Sequence, residues 1–243
     1  IAIDWDPAMI ERAAARLKEF EASVAFKLGN YADVLEQLDQ PPDGILFDFG
    51  AASFHFDEAS RGFSFSRDER LDMRFSPTGR VTAAEIVNRW RVDKIAAILR
   101  EYGEERFSAR IARAIVAHRD STIDTTGHLV SIINSAIPRP YRYGRLHPAT
   151  RTFQALRMAV NGELENIRRG LEAGFNRLKA GGRLVAISFH SREDALVKEA
   201  FRDTAYAGRG TLLTKKPIRP TVVERSANPR SRSARLRAIE KKL

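Results

Sequence analysis

Asp48, Ser53, His55 and His190 are the residues whose types and positions could do chemistry in this sequence. Asp48 closes the apolar run Ile45-Leu46-Phe47 and is followed by Phe49-Gly50, which reads as a buried strand ending in a tight turn. The carboxyl end of such a strand is where open α/β sheets bind ligands. A carboxylate there can orient an amino group and draw off its proton, or hold the amino group of a bound cofactor; a structural aspartate is the competing reading. His190-Ser191 follows a second apolar run, Leu184–Phe189, and opens on the same crevice. Polar residues at two neighbouring strand ends are more specific together than either alone. Ser53 and His55 follow Asp48 closely, with His55 read as a hydrogen-bonding ligand or as a solvated loop histidine.

Further candidates surround this pair. Asp4 ends the first strand, where an acid can accept from both hydroxyls of a ribose, or cap the next helix. Tyr31 follows the second strand and could stack on a base or simply pack. Arg61, Arg67 and Arg74 could bind phosphate or pair with Asp57, Asp68 and Asp72. Glu193 and Asp194 fit the first turn of a helix, where acids complement the dipole. His147, Thr150, Arg151 and Gln154 stand at another helix start, suited to a phosphate or to a hydrogen-bond hub.

Composition narrows the classes. A chain of 243 residues with 43% hydrophobic residues can bury a core, and no apolar run approaches the roughly eighteen residues of a membrane span. The absence of cysteine excludes disulfides and thiolate metal sites, and the five histidines have no metal-ligand spacing, so no metal is assigned. The net charge of +10 is uneven: residues 207–243 hold eleven Lys and Arg against Glu224 and Glu240, a balance of +9. A basic tail on a nearly neutral body points to a polyanionic partner, nucleic acid first, with a solubilising tail as the bland alternative.

The elements that must position these groups read as β-α-β-α-β at the start. Strands at Ile1–Ile3, Val24–Leu28 and Gly44–Asp48 alternate with helices from Asp6-Pro7 to about Phe20 and over Ala32–Leu38, which implies a parallel doubly wound sheet. The segment from Gly50 to Arg74 has neither helical nor strand periodicity but is dense in Phe, Arg and Asp, the composition of a functional loop. Helices follow: one from a Thr82/Glu85 capping box to Trp90, one capped by Asp93, one over Glu104–His118, and one from Thr125 or Thr126 to the residue before Pro138. Residues 82–146 read as a helical insertion, ending in a connector with Arg139, Arg142 and Arg145. A long helical region from His147 to Lys179, broken near Gly162, leads to the strand Arg183–Phe189, a helix from about Glu193 to Arg202 and a strand at Thr211–Thr214. Arg225–Leu243 reads as a basic tail without a core of its own.

Five stretches in order, SRGFSFSRDERLDMR, YGEERFSARIARAIV, HPATRTFQALRMAVNGEL, GGRLVAISFHSRED and NPRSRSARLR, resemble the bacterial RsmH (MraW) family over nearly the whole chain. These are S-adenosylmethionine-dependent enzymes that methylate the N4 amine of a cytosine in 16S rRNA of the small ribosomal subunit. The resemblance implies a Rossmann-like methyltransferase sheet over residues 1–81 and 147–243, with residues 82–146 as an inserted helical RNA-binding domain. It implies a cytoplasmic enzyme with no membrane partner, and leaves homodimerisation open. Carried over residue by residue, cofactor contacts fall on Asp4, Tyr31, Asp48 and the position of His55. Asp48 is read as orienting the reacting groups, with Ser53 and His190 lining the base pocket, and Arg74, Arg145, Arg151, Arg230, Arg232 and Arg235 as the RNA contacts.

Two departures qualify the likeness. The family's usual Asp-Leu-Gly-Val-Ser-Ser-x-Gln stands here as Asp48-Phe49-Gly50-Ala51-Ala52-Ser53-Phe54-His55, so a serine has become Ala52 and a glutamine His55. The family's first strand and glycine-rich loop are expected ahead of Ile1, with that strand between the Ile1 and Gly44 strands; the sequence therefore reads as part of a longer product that neither folds well nor binds cofactor alone. A non-catalytic RNA-binding or ribosome-assembly protein derived from the family is the main alternative, and a nicotinamide-dependent oxidoreductase, which also uses an acid like Asp4, is a second.

Overall fold

A computed structural model describes residues 1–58, 60–144 and 146–242. In chain order it contains β1 (Ala2–Asp4), α1 (Pro7–Arg16), β2 (Phe26–Leu28), α2 (Tyr31–Glu36), β3 (Gly44–Asp48), α3 (Ser53–Asp57), α4 (Ala83–Arg89), α5 (Val92–Glu101) and α6 (Ser108–Ala117). There follow α7 (Thr126–Ala136), α8 (Thr150–Asn161), α9 (Glu163–Arg177), β4 (Arg183–Ser188), α10 (Ser191–Tyr206), β5 (Gly210–Leu212), α11 (Val222–Ala227) and β6 (Arg235–Lys241). The chain is thus mixed α/β. It divides into two compact units, Ile1–Gly50 with Glu163–Leu243, and Ala51–Gly162.

The first unit holds the strands. β1 pairs parallel with β2, and β3 pairs parallel with β4. β4 then pairs antiparallel with β6, and β6 with β5, giving the order β3-β4-β6-β5. Sequence periodicity implied one parallel sheet; the described residues form two sheets, and one of them carries an antiparallel portion. Local signals account for the first helices. The Asp6 carboxylate accepts from Ala8 N at 3.1 Å ahead of Pro7, and the Asn30 side-chain oxygen accepts from Ala32 N at 3.0 Å. α9 and α10 bury Ile167, Leu171, Phe175, Leu196, Val197 and Phe201 against Phe47, Leu184 and Ile239 of the sheet.

The supposed tail is the largest correction in this unit. Arg235–Lys241 forms β6, the strand between β4 and β5, and Ala238 and Ile239 are buried there. Arg237 is buried as well, because Asp194 on α10 receives its Nε at 2.7 Å and its Nη2 at 3.1 Å, while Arg235 reaches the same carboxylate at 3.1 Å. Arg235 and Arg237 are two residues apart and so lie on one face of the strand. Counting them as tail charge hid a core strand.

The second unit is helical: α4 to α8 surround Ile86, Ile95, Leu99, Ile111, Ile115, Leu129, Ile133 and Leu156. The Thr82 hydroxyl accepts from Glu85 N at 3.1 Å and the Glu85 carboxylate from Thr82 N at 3.0 Å, the reciprocal cap the sequence called for. α5 is capped at Arg91 rather than Asp93, and Gly162, in the left-handed region at φ 58°, separates α8 from α9. The Phe/Arg segment belongs to this unit, so the unit begins at Ala51 instead of Thr82. Phe63, Leu71 and Met73 are core residues, and the Asn161 amide donates to the Met73 carbonyl and accepts from Phe75 N, both at 2.8 Å. Gly62 (φ 74°) has no room for a Cβ, which would stand 2.4 Å from the Arg70 carbonyl oxygen. One turn of helix, α3, also forms where no periodicity was legible.

Candidate functional site

The carboxyl ends of β3 and β4 bear the residues with the most unusual surroundings in the first unit. Asp48 ends β3; Phe49 continues the pairing by donating its N–H to the Ile187 carbonyl at 3.0 Å, and Gly50 turns the chain at φ 90°. His190 caps α10 directly beyond β4, its Nδ1 accepting from Glu193 N at 3.4 Å. Glu193 folds back on the same turn, and its Oε2 accepts from Phe189 N at 2.7 Å and His190 N at 3.3 Å. Its Oε1 lies 3.1 Å from His190 Nε2. Glu193 is wholly buried, and Glu163, the first residue of α9, is nearly so. One donor atom from each of Glu163, His190 and Glu193 lies within 4.8 Å of the others, a spacing suited to a shared proton or a cation.

This arrangement sets the electrostatics of the crevice. Burial and the Glu193 carboxylate together raise the pKa of Asp48. Tyr31, at the start of α2, is pushed well above the usual phenol range by burial, then by Glu163 and Glu193. Its ring packs against Phe47 and Phe49 at centroid distances of 5.3 and 6.0 Å. At the end of β1, Asp4 accepts from Asp6 N at 2.8 Å, and burial raises its pKa. The Tyr31 ring is fitted to the backbone of α9: a Cβ on Gly170 would stand 2.4 Å from Tyr31 Cε2. Gly170→Ala is therefore expected to displace the ring and lower stability by about 1–3 kcal/mol, read from the denaturant midpoint.

Ser53 and His55 belong to the second unit. Ser53 is exposed at the first position of α3. His55 is buried between Phe63 and Phe75, with centroids at 5.1 and 4.9 Å, and its Nδ1 accepts from Ala52 N at 3.0 Å. Alanine offers no side-chain cap, so the histidine three residues on serves as one. His55 is thus a core and capping residue, where the sequence suggested a solvated or ligand-binding one. The loop cations are also committed internally. Arg74 donates to both Asp72 oxygens at 2.7 Å and to the Pro77 and Gly79 carbonyls at 2.9 Å. Arg61 donates to the Arg74 and Phe75 carbonyls, and Arg67 pairs with Glu69 at 3.0 Å. His147 stacks on Phe65 at 4.4 Å and accepts from Ala149 N at 3.2 Å.

Among the other RNA candidates, Arg230 and Arg232 are exposed in a 3-10 turn of the first unit. Arg151 is exposed at the start of α8, one N–H donated to the Glu104 carbonyl at 3.2 Å. Arg145 lies outside the described residues. Sequence reasoning missed Glu163 and gave Glu193 to the helix dipole alone. The signal for Glu193 was present: a cap at His190 with Glu three residues on is the spacing of a capping box.

Comparison with known proteins decides the family. The sequence pattern of the MraW methylase family matches residues 1–242. The chain belongs to the MraW methylase family. A relative from Synechococcus elongatus, named ribosomal RNA small subunit methyltransferase H, is 47% identical over 243 residues, covering 100% of this chain and 80% of its own length. Relatives with the same name from Pelobacter propionicus and Leptospira interrogans are 46% and 44% identical, each covering 99% of this chain and 83% and 74% of their own lengths. The five stretches that carried the family resemblance in the sequence thus lie within a match over essentially the whole chain.

Proposed function

We propose that this MraW-family chain is an S-adenosylmethionine-dependent methyltransferase of small-subunit ribosomal RNA, acting on the exocyclic N4 amine of a cytosine in 16S rRNA. The observation that carries the reading is the convergence of Asp48, His190, Glu163 and Glu193 at the ends of β3 and β4, in a chain 47% identical over its whole length to a ribosomal RNA methyltransferase. In this reading the first unit is the Rossmann-like methyltransferase domain and the helical unit is its insertion, which helps to hold RNA in the cytoplasm.

The donor set fits the cofactor chemically, since carboxylates at the crevice complement a cationic ligand. S-adenosylmethionine supplies, when bound, a methyl group on a positively charged sulfur. Asp4 would accept from the ribose hydroxyls and Tyr31 would border the adenine. Asp48 would accept an N–H of the cytosine amine, which orients the nitrogen, and would take the proton the amine gives up on methylation. An amine whose lone pair is delocalised into the ring gains more from alignment and local field than from a strong base. Burial and Glu193 raise the Asp48 pKa, which makes it a better proton acceptor than an ordinary aspartate. His190, held through Nδ1 by the Glu193 N–H and with Nε2 3.1 Å from the Glu193 carboxylate, forms a wall of the base pocket. Arg151, Arg230 and Arg232 are the proposed backbone contacts, together with Arg145. Arg74 spends its donors on Asp72 and on the Pro77 and Gly79 carbonyls, and Arg235 gives one N–H to Asp194, so these two serve the fold.

The test uses the intact gene product, tritiated S-adenosylmethionine and small subunits lacking the modification. Label is expected in N4-methylcytosine, and Asp48→Ala is expected to slow incorporation by about 10²-fold or more. RNA binding without any label would instead favour a binding or ribosome-assembly protein.

A further inference from the structure

The second unit carries an aromatic and basic patch that the chemistry above does not use. Tyr141 lies in the 3-10 turn Arg139–Tyr141 between α7 and α8, and Phe107 immediately precedes α6. The two rings meet edge to face at 5.0 Å. The Arg106 guanidinium stands 5.1 Å from the Tyr141 centroid and 5.6 Å from that of Phe107, and donates to the Tyr141 hydroxyl at 3.2 Å. Arg142 ties the turn down by donating to the Ile137 carbonyl at 3.2 and 3.1 Å. Tyr141 is therefore a half-exposed ring held in place. Two residues on, Tyr143 is 89% exposed.

What sets these rings apart is that Tyr141 is held by a guanidinium and that their chain neighbours are cationic. Arg106, Arg110, Arg113 and Arg139 are all exposed. A protein partner would need a broader apolar surface than two rings separated by Arg142. An unpaired nucleotide needs only a ring face for its base and a guanidinium for its phosphate. Charge and shape together select single-stranded nucleic acid.

We propose that Tyr141 and Tyr143 form a stacking platform for unpaired bases of RNA, with Arg106, Arg110 and Arg139 meeting the adjoining phosphates. The proposal rests on the reading that this protein acts on ribosomal RNA. It adds that the helical unit holds a single-stranded segment through its bases as well as its backbone. Arg106 has a double part, fixing Tyr141 and presenting charge.

The test measures binding of a short fluorescein-labelled single-stranded RNA, and of the matching duplex, across a salt series with the intact protein. Tyr143→Ala is expected to weaken single-strand binding by about 5- to 100-fold with the salt slope unchanged, because stacking is not a counterion effect. Tyr143→Phe keeps the ring and should bind as wild type. Arg110→Ala should lower the salt slope by about one and weaken all sequences alike. Tyr143 is so exposed that its alanine variant should melt as wild type does, which separates binding from folding. Wild-type single-strand affinity in Tyr143→Ala overturns the platform, and does so equally if that variant instead loses a protein contact of the small subunit. Methyl incorporation by the wild type is read alongside. Label with an unaffected Tyr143→Ala sinks the platform alone, whereas a wild type that neither binds RNA nor transfers label sinks the platform and the methyltransferase reading together.

Discussion

Glu193→Ala is expected to cost both stability and activity. The Glu193 side chain is 0% exposed and accepts from the N–H groups of Phe189 and His190 at 2.7 and 3.3 Å. Alanine leaves both donors without that acceptor at the point where β4 turns into α10. Each buried donor stranded in this way costs about 1–3 kcal/mol. His190 also loses the carboxylate 3.1 Å from its Nε2, so the wall of the proposed base pocket loosens. A fall in methyl transfer of about 10²-fold or more should accompany the drop in unfolding free energy, the first measured in the small-subunit assay and the second in urea.

Glu193→Gln separates these effects. Glutamine keeps a carbonyl acceptor for the two N–H groups, so most of the stability should remain. It removes a negative charge that helps to raise the Asp48 pKa. If ionised Asp48 is the working form, the acid limb of the pH–rate profile reports its pKa, and this limb should move to lower pH in Glu193→Gln. An unmoved limb would take Asp48 out of the proton-accepting role.

The second large effect is on folding. Asp194→Ala is expected to lower stability by about 3–5 kcal/mol, because it leaves the buried Arg237 guanidinium without its carboxylate. The Asp194 and Arg237 side chains are only 12% and 9% exposed, and two parallel contacts of 2.7 and 3.1 Å join them. Burial by itself would raise the Asp194 pKa, but the hydrogen bonds and charges of Arg237 and Arg235 outweigh it and hold the carboxyl below its ordinary value. A depressed folded-state pKa gives stability that is present above the unfolded value and is lost as pH falls through the folded one. The gap between wild type and Asp194→Asn should therefore be full at neutral pH and close below about pH 4. Guanidinium melts of both proteins at pH 7 and pH 3 would read it; a gap that stays constant between them would mean that the pair is not held by charge.

Some of this protein was legible from its residues in order. The early alternation of strands and helices, the Thr82/Glu85 cap, the break at Gly162 and the placement of Asp48 and His190 at strand ends all depend on neighbours within a few positions. So does the family, whose motifs are runs of sequence. What could not be read was what depends on partners far along the chain. The Phe/Arg segment looked like an open loop because its packing partners, such as Asn161, stand more than eighty residues away. His55 looked like a solvated loop residue until Phe63 and Phe75 packed against it.

The same reason separates local from distant determinants across the whole chain. Local propensity and hydrophobic period determined that the chain is an α/β protein with an acid and a histidine at neighbouring strand ends. Only the tertiary structure decided that Arg235 and Arg237 belong to a strand of the sheet rather than a tail, and that Arg237 is buried, because a charge is buried only when a distant Asp194 can meet it. It alone brought Glu163 beside His190 and Glu193, since that carboxylate stands on α9 and reaches the start of α10 through the packing of the two helices and through nothing in its spacing.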